Sequence, residues 1–575
     1  MRYIEHLLTL SDHFEHGAKV ETSIALLASM LNCSERHVKN IMAALHEEQV
    51  VHWATERGRG KKPKLTLLLS KEEVLIAEAR RLAETDRYRD AFAIVETISQ
   101  SAKDTFYEWF ANSLGVSEGR EEDEELDTLR YPFYDTQLIM DPMLIKSRHD
   151  AHMVQQIFDR LVEYNEESEM LIPRIAHHWE SADGKKWTFY LHKGIHFHHG
   201  RKLTSEDVQL TIVRLQKEIG LFKEINNITI CNETVIQFEL NRVDYLFPRS
   251  LATMKASIIP IEKGKEGSFR SFPIGSGPYQ VLCNNENMIQ LGVNASYFST
   301  RPWLDRIEII KAPAEYEKRQ NHPFLLNQPN SSWREVRQIE EGASFISCNC
   351  MKDGPLRSKE IRKQILESLM PEDMKNEGHN NEFRATSFLT PRSLEKHNSP
   401  RDRVPEIHFE NLKLKIGVQR IRQDANHVKA AKQLQAQLQA IGIKSQLELV
   451  DFTAVCSDYY NSTYDLFIGG IALGNDEMIS LLQVIQSPAF PIYPWVTEKV
   501  RRKIDEVICL MRSSQESQVQ WKYYCEIEDL LKSEYAILFL NHRFHAVYEP
   551  DKSEYVNIKL NCNGRVDYRK VWKKQ

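Results

Sequence analysis

The sequence predicts a multidomain protein in which a small α+β helix-turn-helix module precedes a much larger α/β region. A chain of 575 residues is too long for one hydrophobic core. Near the N-terminus, two helical patterns are followed by two apolar, β-prone runs that flank a basic loop. Farther along, residues 412–450 have the pattern of a strand, an amphipathic helix and a second strand, which is typical of a βαβ unit.

Composition and charge narrow the classes of function. A hydrophobic content of 42% and a charged content of 27% are ordinary for a soluble globular protein. The net charge of -6 excludes a chain that is basic throughout, so any nucleic-acid footprint must be local. The nine cysteines are odd in number and irregularly spaced, which argues against a disulfide framework and for a reducing compartment.

The N-terminal residues predict the location of the protein. Glu5 and His6 interrupt any apolar core of the kind that an export signal needs. No apolar run in the chain reaches the 18 residues or so that a membrane span requires. We therefore expect a cytoplasmic, soluble protein with no membrane partner.

The first 50 residues have the pattern of a helix-turn-helix. Residues 24–31 carry apolar side chains at helical spacing, and Ser34 then provides an N-cap for a second helix from Glu35 to Glu48. Val38 and Ile41 are expected to face inward, which leaves polar residues near the start of the second helix exposed. In a helix-turn-helix these early residues meet the edges of DNA bases.

The next stretch has the pattern of a wing, a basic loop between two strands. Residues 50–54 and 65–69 are the strand candidates, and the loop at 57–64 holds five positive charges in eight residues. Such a loop can neutralise phosphates, and Arg59 can enter a minor groove. The sequence thus predicts a winged helix that binds double-stranded promoter DNA. The predicted DNA-binding residues are Ser34, Arg36, His37, Lys39, Asn40, Arg57, Arg59, Lys61, Lys62 and Lys64.

Composition also sets the expected domain boundaries. Residues 71–115 are rich in Glu, Arg and Ala and should form a helical extension, so that the DNA-binding domain covers 1–115. Residues 117–127 carry seven acidic side chains in eleven, which predicts a solvated linker over 116–129. The remaining domain covers 130–575.

A histidine-rich segment, YLHKGIHFHHGRKLTSEDV at 190–208, carries the first resemblance to a known family. It is similar to the signature of the dipeptide/oligopeptide (family 5) solute-binding proteins of ABC transporters. The matching positions are Leu191, Gly194, Phe197, Gly200, Leu203, Thr204, Asp207 and Val208. From the residues alone, the segment predicts a strand, a tight glycine turn and a helix capped by Thr204 or Ser205.

Further segments resemble the same family in the same order. These segments are 175–179, 187–191, 273–279 (PIGSGPY), 294–298, 301–307 and the βαβ unit at 412–450. The resemblance implies a two-lobed α/β periplasmic-binding-protein-like domain (type II, family 5) over 130–575, with the second lobe at roughly 310–490. In such a fold, a small molecule is held between lobes that close about a hinge.

The four histidines at 192–199 raise the alternative of a metal site. His196 and His198 share one face of a strand by period two, which would allow metal binding. No acidic or cysteine partner lies nearby at ligand spacing, so surface or packing roles are favoured. We predict no metal and no cofactor.

One departure from the family pattern bears on the ligand. In peptide-binding members, a Trp and an Asp follow a Tyr-Asp-Leu strand, and that Asp pairs with the α-amino group of the ligand. Here Ile471 stands at the Trp position and Gly474 at the Asp position, with Asp476 two residues farther on. Gly474 and Asp476 are therefore the ligand-binding candidates, and Asp476 is a substitute carboxylate.

The combination of a winged helix with a family 5 domain resembles the SgrR-type transcriptional regulators, named for the sugar-phosphate stress response. The resemblance implies a regulator whose effector is a sugar phosphate or a short peptide. The alternative is a cytosolic solute-binding protein whose N-terminal module docks a protein partner. No G-x-S-x-G, P-loop or HExxH motif is present, so no catalytic residue and no enzyme is predicted. Binding as a homodimer is left open.

Overall fold

A computed structural model describes most of the chain. The described residues are 3–55, 61–121, 124–133, 138–145, 147–217, 219–262, 267–313, Tyr316, 333–374, 383–395, 408–420, 427–451, 462–487, 490–550, 555–557 and 566–574.

The N-terminal module has the winged-helix order of elements. In chain order it contains α1 (Ile4–His13), β1 (Val20–Glu21), α2 (Ile24–Met30), α3 (Glu35–Glu47), β2 (Val51–Ala54) and β3 (Lys64–Leu67). The strands form a sheet of order β1-β3-β2. Ser23 and Ser34 cap α2 and α3, because each hydroxyl accepts a hydrogen bond from a backbone N–H of the first helical turn. The predicted winged helix is confirmed.

A helical extension follows. It contains α4 (Lys71–Glu84), α5 (Tyr88–Glu96) and α6 (Gln100–Asn112). Ser70 and Glu73 form a reciprocal capping box at the start of α4. Val74 of α4 is buried in the apolar core of the winged helix, so the extension is packed directly against that module.

The first lobe is built on two sheets. Its elements are β4 (Gly115–Glu121), β5 (Glu124–Phe133), α7 (Arg148–Ile157), β6 (Val162–Asn165), β7 (Met170–Pro173), β8 (Ala176–Glu180), β9 (Lys186–Leu191), α8 (Ser205–Gln216), β10 (Ile225–Asn232), β11 (Val235–Leu240), α9 (Phe247–Ser250), β12 (Tyr279–Asn284), β13 (Met288–Val293) and β14 (Arg306–Lys311). One sheet has the order β12-β13-β14-β5-β4, and the other has the order β10-β11-β9-β8.

The acidic linker predicted at 116–129 is wrong. This segment forms most of the hairpin β4–β5, in which Val116 pairs with Leu129, and β5 runs parallel to β14 in the five-stranded sheet. Charge density obscured a period-two pattern, since Leu129, Tyr131 and Phe133 alternate and are buried. β4 is the edge strand of its sheet, where charged residues commonly protect against edge-to-edge pairing.

The second lobe and the strands that connect the lobes complete the chain. Their elements are β15 (Trp333–Glu340), β16 (Ser344–Cys348), α10 (Lys359–Ser368), β17 (Phe383–Arg384), α11 (Thr390–Glu395), β18 (Lys413–Arg420), α12 (Val428–Ala440), β19 (Lys444–Asp451), β20 (Leu466–Gly470), α13 (Glu477–Ile485), α14 (Glu498–Ser513), α15 (Ser517–Ser533), β21 (Ile537–Phe539), β22 (Asn541–Pro550), β23 (Tyr555–Val556) and β24 (Trp572–Lys573). The central sheet has the order β19-β18-β20-β16-β21.

The predicted bounds of the second lobe, about 310–490, differ from those of the structure. β14 belongs to a first-lobe sheet, and the second lobe continues through α14 and α15 to β21 at Phe539. Those two helices bury an apolar face against the lobe, with Ile504 and Ile527 fully covered. The segments of the sequence that resemble the family extend only as far as β20, and the predicted lobe therefore ended too early.

Two antiparallel strands connect the lobes. β15 leads into the second lobe and β22 leads out of it, and they pair with each other from Trp333↔Pro550 to Glu340↔Arg543. The chain then returns to the first lobe, where Tyr568 lies in the core of the five-stranded sheet. Arg569 is held there by Glu163, with an Nη2–Oε1 distance of 3.1 Å. In the part of the chain described here, no helix has the length and apolar character needed to cross a bilayer.

The helical extension and the first lobe share one apolar core. Phe106 and Phe110 of α6 pack in the same cluster as Met288 and Ile310 of the five-stranded sheet. The ring centroids of Phe110 and Tyr316 are 5.3 Å apart, with the rings at 70°. Such an edge-to-face pair adds about 1 kcal/mol to the burial of the rings. The winged helix and its extension are therefore joined to the first lobe by packing as well as by the chain.

We expect Phe110→Ala to destabilise the helical extension and the first lobe together. The side chain is fully buried, so its removal should lower the free energy of unfolding by about 3–5 kcal/mol. Urea unfolding followed by circular dichroism gives the loss, and hydrogen exchange in β13 and β14 shows whether the first lobe shares it. Phe272→Ala is the matched control, because that ring is 46% exposed. Exchange in β13 and β14 that stayed at the wild-type rate would contradict the shared core.

Candidate DNA interface and ligand cleft

The N-terminal half of α3 presents a polar surface. Arg36, His37, Lys39 and Asn40 are all exposed, while Val38 between them is fully buried. This division follows from helical periodicity, since Val38, Ile41, Met42 and Leu45 form the buried stripe. The four exposed side chains lie where a winged helix presents its recognition helix to a major groove.

Ser34 and His37 also have structural contacts within the module. The Ser34 hydroxyl accepts the backbone N–H of His37 at 3.3 Å, so this serine holds the start of α3. The His37 ring lies edge-on to Tyr3 and His6, at centroid distances of 5.9 and 6.1 Å. Arg36, Lys39 and Asn40 are thus the candidates on this surface for which no such structural contact is seen among the described residues.

The basic loop lies between β2 and β3, as the sequence predicts. Lys61 and Lys62 are exposed just before β3, and Lys64 begins that strand. Arg57 and Arg59 lie outside the described residues, so their DNA contacts stay predictions. Because β2 and β3 pair from Val51↔Leu67 to Ala54↔Lys64, the loop is placed at the tip of a hairpin.

The histidine segment forms the predicted strand, turn and capped helix. β9 ends at Leu191, Gly194 has a φ of 80°, and Thr204 and Asp207 form a capping box at the start of α8. Each of three histidines has its own partner. His196 bonds the Gly194 carbonyl, His198 the Gly277 carbonyl and His199 a carboxylate oxygen of Glu262. The imidazoles therefore face different groups rather than a common centre.

His198 fastens this segment to the PIGSGPY motif. Its Nδ1 accepts the Gly275 N–H at 3.2 Å, so Nε2 carries the proton and donates to the Gly277 carbonyl at 3.1 Å. The motif needs its glycines, because a Cβ at Gly275 would lie 2.0 Å from the Ile157 carbonyl oxygen. Burial lowers the pKa of His198 to about 4. The neutral His198 ring therefore has a structural role, because its two hydrogen bonds connect two segments of the first lobe.

His198 should contribute an acid sensitivity to folding. Its pKa is lowered in the folded state, so between pH 6.5 and about 4 the unfolded chain binds the extra proton and stability falls as the pH falls. In the His198→Asn variant, the fall in folding free energy between pH 6.5 and pH 4 should be smaller than in the wild type by up to about 3 kcal/mol. Urea titrations at pH 7 and pH 4.5 measure the difference. His196→Asn, at an exposed ring, should keep the wild-type slope, and a His198→Asn slope equal to wild type would refute the assignment.

The ligand candidates Gly474 and Asp476 lie in the loop between β20 and α13. Gly474 is exposed, and its N–H donates to the Ser480 hydroxyl at 3.0 Å. Asp476 is the N-cap of α13 and accepts two hydrogen bonds from Arg249 of the first lobe, at 2.7 and 2.6 Å. In this conformation the Asp476 carboxylate is therefore occupied by an internal guanidinium. A role of these two residues in ligand binding stays a prediction.

A second Arg–Asp pair bridges the lobes in the opposite sense. Arg512 at the end of α14 donates to the buried carboxylate of Asp244 in the first lobe. The backbone N–H of Tyr245 also donates to the Arg512 carbonyl at 2.7 Å. Both side chains are less than a tenth exposed, so the pair is desolvated and depends on close geometry.

We expect Asp244→Asn to be strongly destabilising. The substitution leaves the Arg512 guanidinium buried without its carboxylate, a change that typically lowers stability by about 3–5 kcal/mol. Thermal unfolding measures the loss. Asp353→Asn is the control, since its pair with Arg357 is largely exposed and should change stability by less than about 0.5 kcal/mol. Equal melting temperatures for the two variants would show that the bridge between the lobes contributes little.

An acidic region lies beside the Arg249–Asp476 pair. Burial, together with the nearby carboxylates of Glu341 and Glu169, raises the pKa of Glu477 to about 7. Glu169 belongs to the turn between β6 and β7 of the first lobe, so Glu477 faces across the gap between the lobes. This end of the cleft carries excess negative charge.

The switch point of the second-lobe sheet lies at the carboxyl ends of β18 and β20. β18, β19 and β20 are parallel, and α12 carries the chain from β18 to β19 on one side, while the chain after β20 continues to β21 on the other side. In open α/β sheets, ligands bind beyond the carboxyl ends of the strands at such a point. Here that position is occupied by Gly470, His427 and Arg543. No sequence motif singled out these residues.

A concavity of about 570 Å³ elsewhere on the first lobe does not compete as a site. Its lining includes Lys311 and Asn284. The Lys311 ammonium already donates to the Asn284 side chain at 3.2 Å and to the Asn285 carbonyl. Among the residues whose positions are known, no group of three or more His, Cys, Asp or Glu side chains is placed to hold a metal ion.

Two family models match the chain in separate regions. Residues 170–489 match the bacterial extracellular solute-binding proteins, family 5 Middle. Residues 2–120 match the model described as sugar transport-related sRNA regulator N-term.

Similar proteins were found among both curated sequences and solved structures. The HTH-type transcriptional regulator SgrR of Yersinia enterocolitica is 31% identical over 359 residues, which is 62% of each chain. The uncharacterized protein YhjP of Bacillus subtilis is 25% identical over 516 residues, or 87% of each chain. A dipeptide binding protein from Pseudoalteromonas, solved with Met-Leu, superposes with a TM-score of 0.63 at 18% identity over 78% of this chain and all of its own. NikZ from Campylobacter jejuni, solved with Ni(L-His), gives 0.61 at 19% identity over 78% of this chain and 99% of its own. These structures share the two-lobed fold.

Proposed function

Because this chain belongs to the family 5 solute-binding proteins, and its N-terminal region matches that of the SgrR regulators, we propose that it is a cytoplasmic transcription regulator. The winged helix binds promoter DNA, and the cleft between the lobes binds a small effector. The observation that carries the proposal is the shared core, which ties an exposed recognition helix to the first lobe of a ligand-binding fold.

The distribution of positive charge on the winged helix supports the proposal that this module binds DNA. The chain as a whole carries a net charge of -6, yet Arg36, Lys39 and Asn40 are exposed near the start of α3, and Lys61 and Lys62 are exposed just before β3. Phosphate contacts from such side chains make binding strongly salt-dependent. The Yersinia relative that is named a transcriptional regulator aligns with 62% of this chain, so its activity is carried over here as a proposal.

The effector half is supported by the state of Asp476. A peptide ligand would need a free carboxylate for its α-amino group, and here Arg249 occupies the one that the sequence offered. The occupied Asp476 carboxylate argues against the ordinary mode of peptide binding, and the match of residues 2–120 to the sugar transport-related regulator model leads us to favour a sugar phosphate. A ligand that binds the closed lobes more tightly than the open ones shifts the equilibrium by that difference in affinity.

Removing two charges from α3 should weaken DNA binding and its salt dependence. We expect Arg36→Ala/Lys39→Ala to lower the affinity for promoter fragments and to reduce the slope of log K against log salt by about 2, one for each lost phosphate contact. Fluorescence anisotropy at several salt concentrations gives both values, and footprinting in cells with and without sugar-phosphate stress identifies the promoters.

The control is Lys432→Ala/Lys499→Ala, which removes two exposed charges from helices of the second lobe. It should bind DNA like the wild type. If the wild-type protein ignores promoter DNA even at low salt, the regulator proposal fails and the N-terminal module is better explained as a docking site for a protein.

A further inference from the structure

We propose that the switch point of the second lobe is an oxyanion site, in which Arg543, Ser344 and the start of α12 bind the phosphate or carboxylate group of a small molecule. This inference rests on the proposed sensing role of the cleft and names the chemistry that the cleft recognises.

Arg543 has an unusual set of neighbours for a half-buried arginine. Its Nη2 lies 3.0 Å from Nε2 of His427, and in the described part of the chain no carboxylate pairs with its guanidinium. His427 is fully buried, and its pKa is lowered well below the ordinary value by burial and by the adjacent guanidinium. A neutral imidazole accepts a hydrogen bond and supplies no negative charge. The positive charge of Arg543 is therefore not neutralised by its neighbour.

The position of this guanidinium adds to the imbalance. His427 is the N-cap of α12, a helix of 13 residues, and its side chain makes no capping hydrogen bond. The N-terminus of a helix carries a partial positive charge, which favours anions and disfavours cations. An arginine held against this end lacks an electrostatic reason to be there unless an anion joins it.

A buried hydroxyl provides the third group. Ser344 is 2% exposed, and among the described residues its Oγ has no hydrogen-bond partner. It lies opposite Gly470 in the sheet, where a Cβ on that glycine would be 3.3 Å from Ser344 Oγ and 3.1 Å from His427 Cε1. Ser344 and His427 thus flank the carboxyl end of β20, and Arg543 contacts the same imidazole. A buried polar atom without a partner calls for an explanation, such as a bound water, ion or ligand.

The strand end beside Arg543, Ser344 and His427 is held in place by a hydrogen bond. The side-chain oxygen of Gln419 accepts the Gly470 N–H at 2.7 Å, which fixes the end of β20 beside the site. Gly470 has no side chain, and this permits the close approach of the His427 ring. The site is thus preformed on strands and a helix rather than on a mobile loop, as accurate recognition requires.

The test uses the full chain and four probes: glucose 6-phosphate, inorganic phosphate, glucose and trialanine. Calorimetry and ligand-induced shifts of the melting temperature report binding. We expect glucose 6-phosphate or inorganic phosphate to bind and glucose not to bind. Arg543→Gln keeps a donor for His427 but removes the charge, and should weaken binding by about tenfold or more, since hydrogen bonds to charged groups are the strong ones. Ser344→Ala should weaken it by a smaller factor.

Arg357→Gln is the matched control, because it removes an exposed guanidinium from the same lobe and should leave binding unchanged. Trialanine that binds the wild type and is weakened by Arg543→Gln would support an oxyanion site that takes a carboxylate. Phosphate or trialanine that bound Arg543→Gln as tightly as the wild type, or no binding of any charged probe, would overturn the site. Without effector, Arg543→Gln should still bind promoter DNA. The regulator proposal is tested separately, because it fails only if the wild-type protein does not bind promoter DNA.

Discussion

The shared core between α5–α6 and the five-stranded sheet sets how this protein can work. Phe110 and Ile310 are both fully buried in one cluster, so separating the two parts would expose several aromatic side chains to water. A winged helix joined only by a flexible linker could reorient freely. In this protein, reorientation would expose the buried aromatic side chains to water. The winged helix, its extension and the first lobe are therefore held together as one unit.

Contacts between the lobes are both apolar and electrostatic. Phe222 of the first lobe and Met478 of the second lobe lie in one buried apolar cluster. Arg249 and Arg512 each reach a carboxylate of the opposite lobe, and the Asp244–Arg512 pair is almost fully buried. Buried pairs of this type depend on geometry more than on net attraction, because desolvation offsets much of the Coulomb energy. Opening the lobes would return these four charges to water. A ligand shifts the balance between open and closed lobes only by the difference in its affinity for the two forms.

The sequence predicted most of the fold and less of the site. Period 3.6 in residues 24–45 and a basic loop between two β-prone runs were enough for the winged helix, since each residue's role follows from its neighbours in the chain. The acidic hairpin was misread because charge masked the alternation of Leu129, Tyr131 and Phe133. Arg543 and Ser344 were missed for a different reason. They lie about 200 residues apart in the chain. The pairing of β15 with β22, in which Glu340 lies opposite Arg543, brings their segments together, and no local pattern reveals that pairing.

The location of Arg543 also relates binding to movement. It is the third residue of β22, one of the two strands by which the chain crosses between lobes, and it faces the start of α12 in the second lobe. An anion held between Arg543, Ser344 and α12 would tie the crossing strand to the second-lobe sheet. Any rotation of that lobe about the strand pair would change those distances, so the affinity for the anion must differ between the two arrangements. By linkage, such an anion would change their populations. Under the proposed function, this change would alter how the second lobe is placed relative to the winged helix.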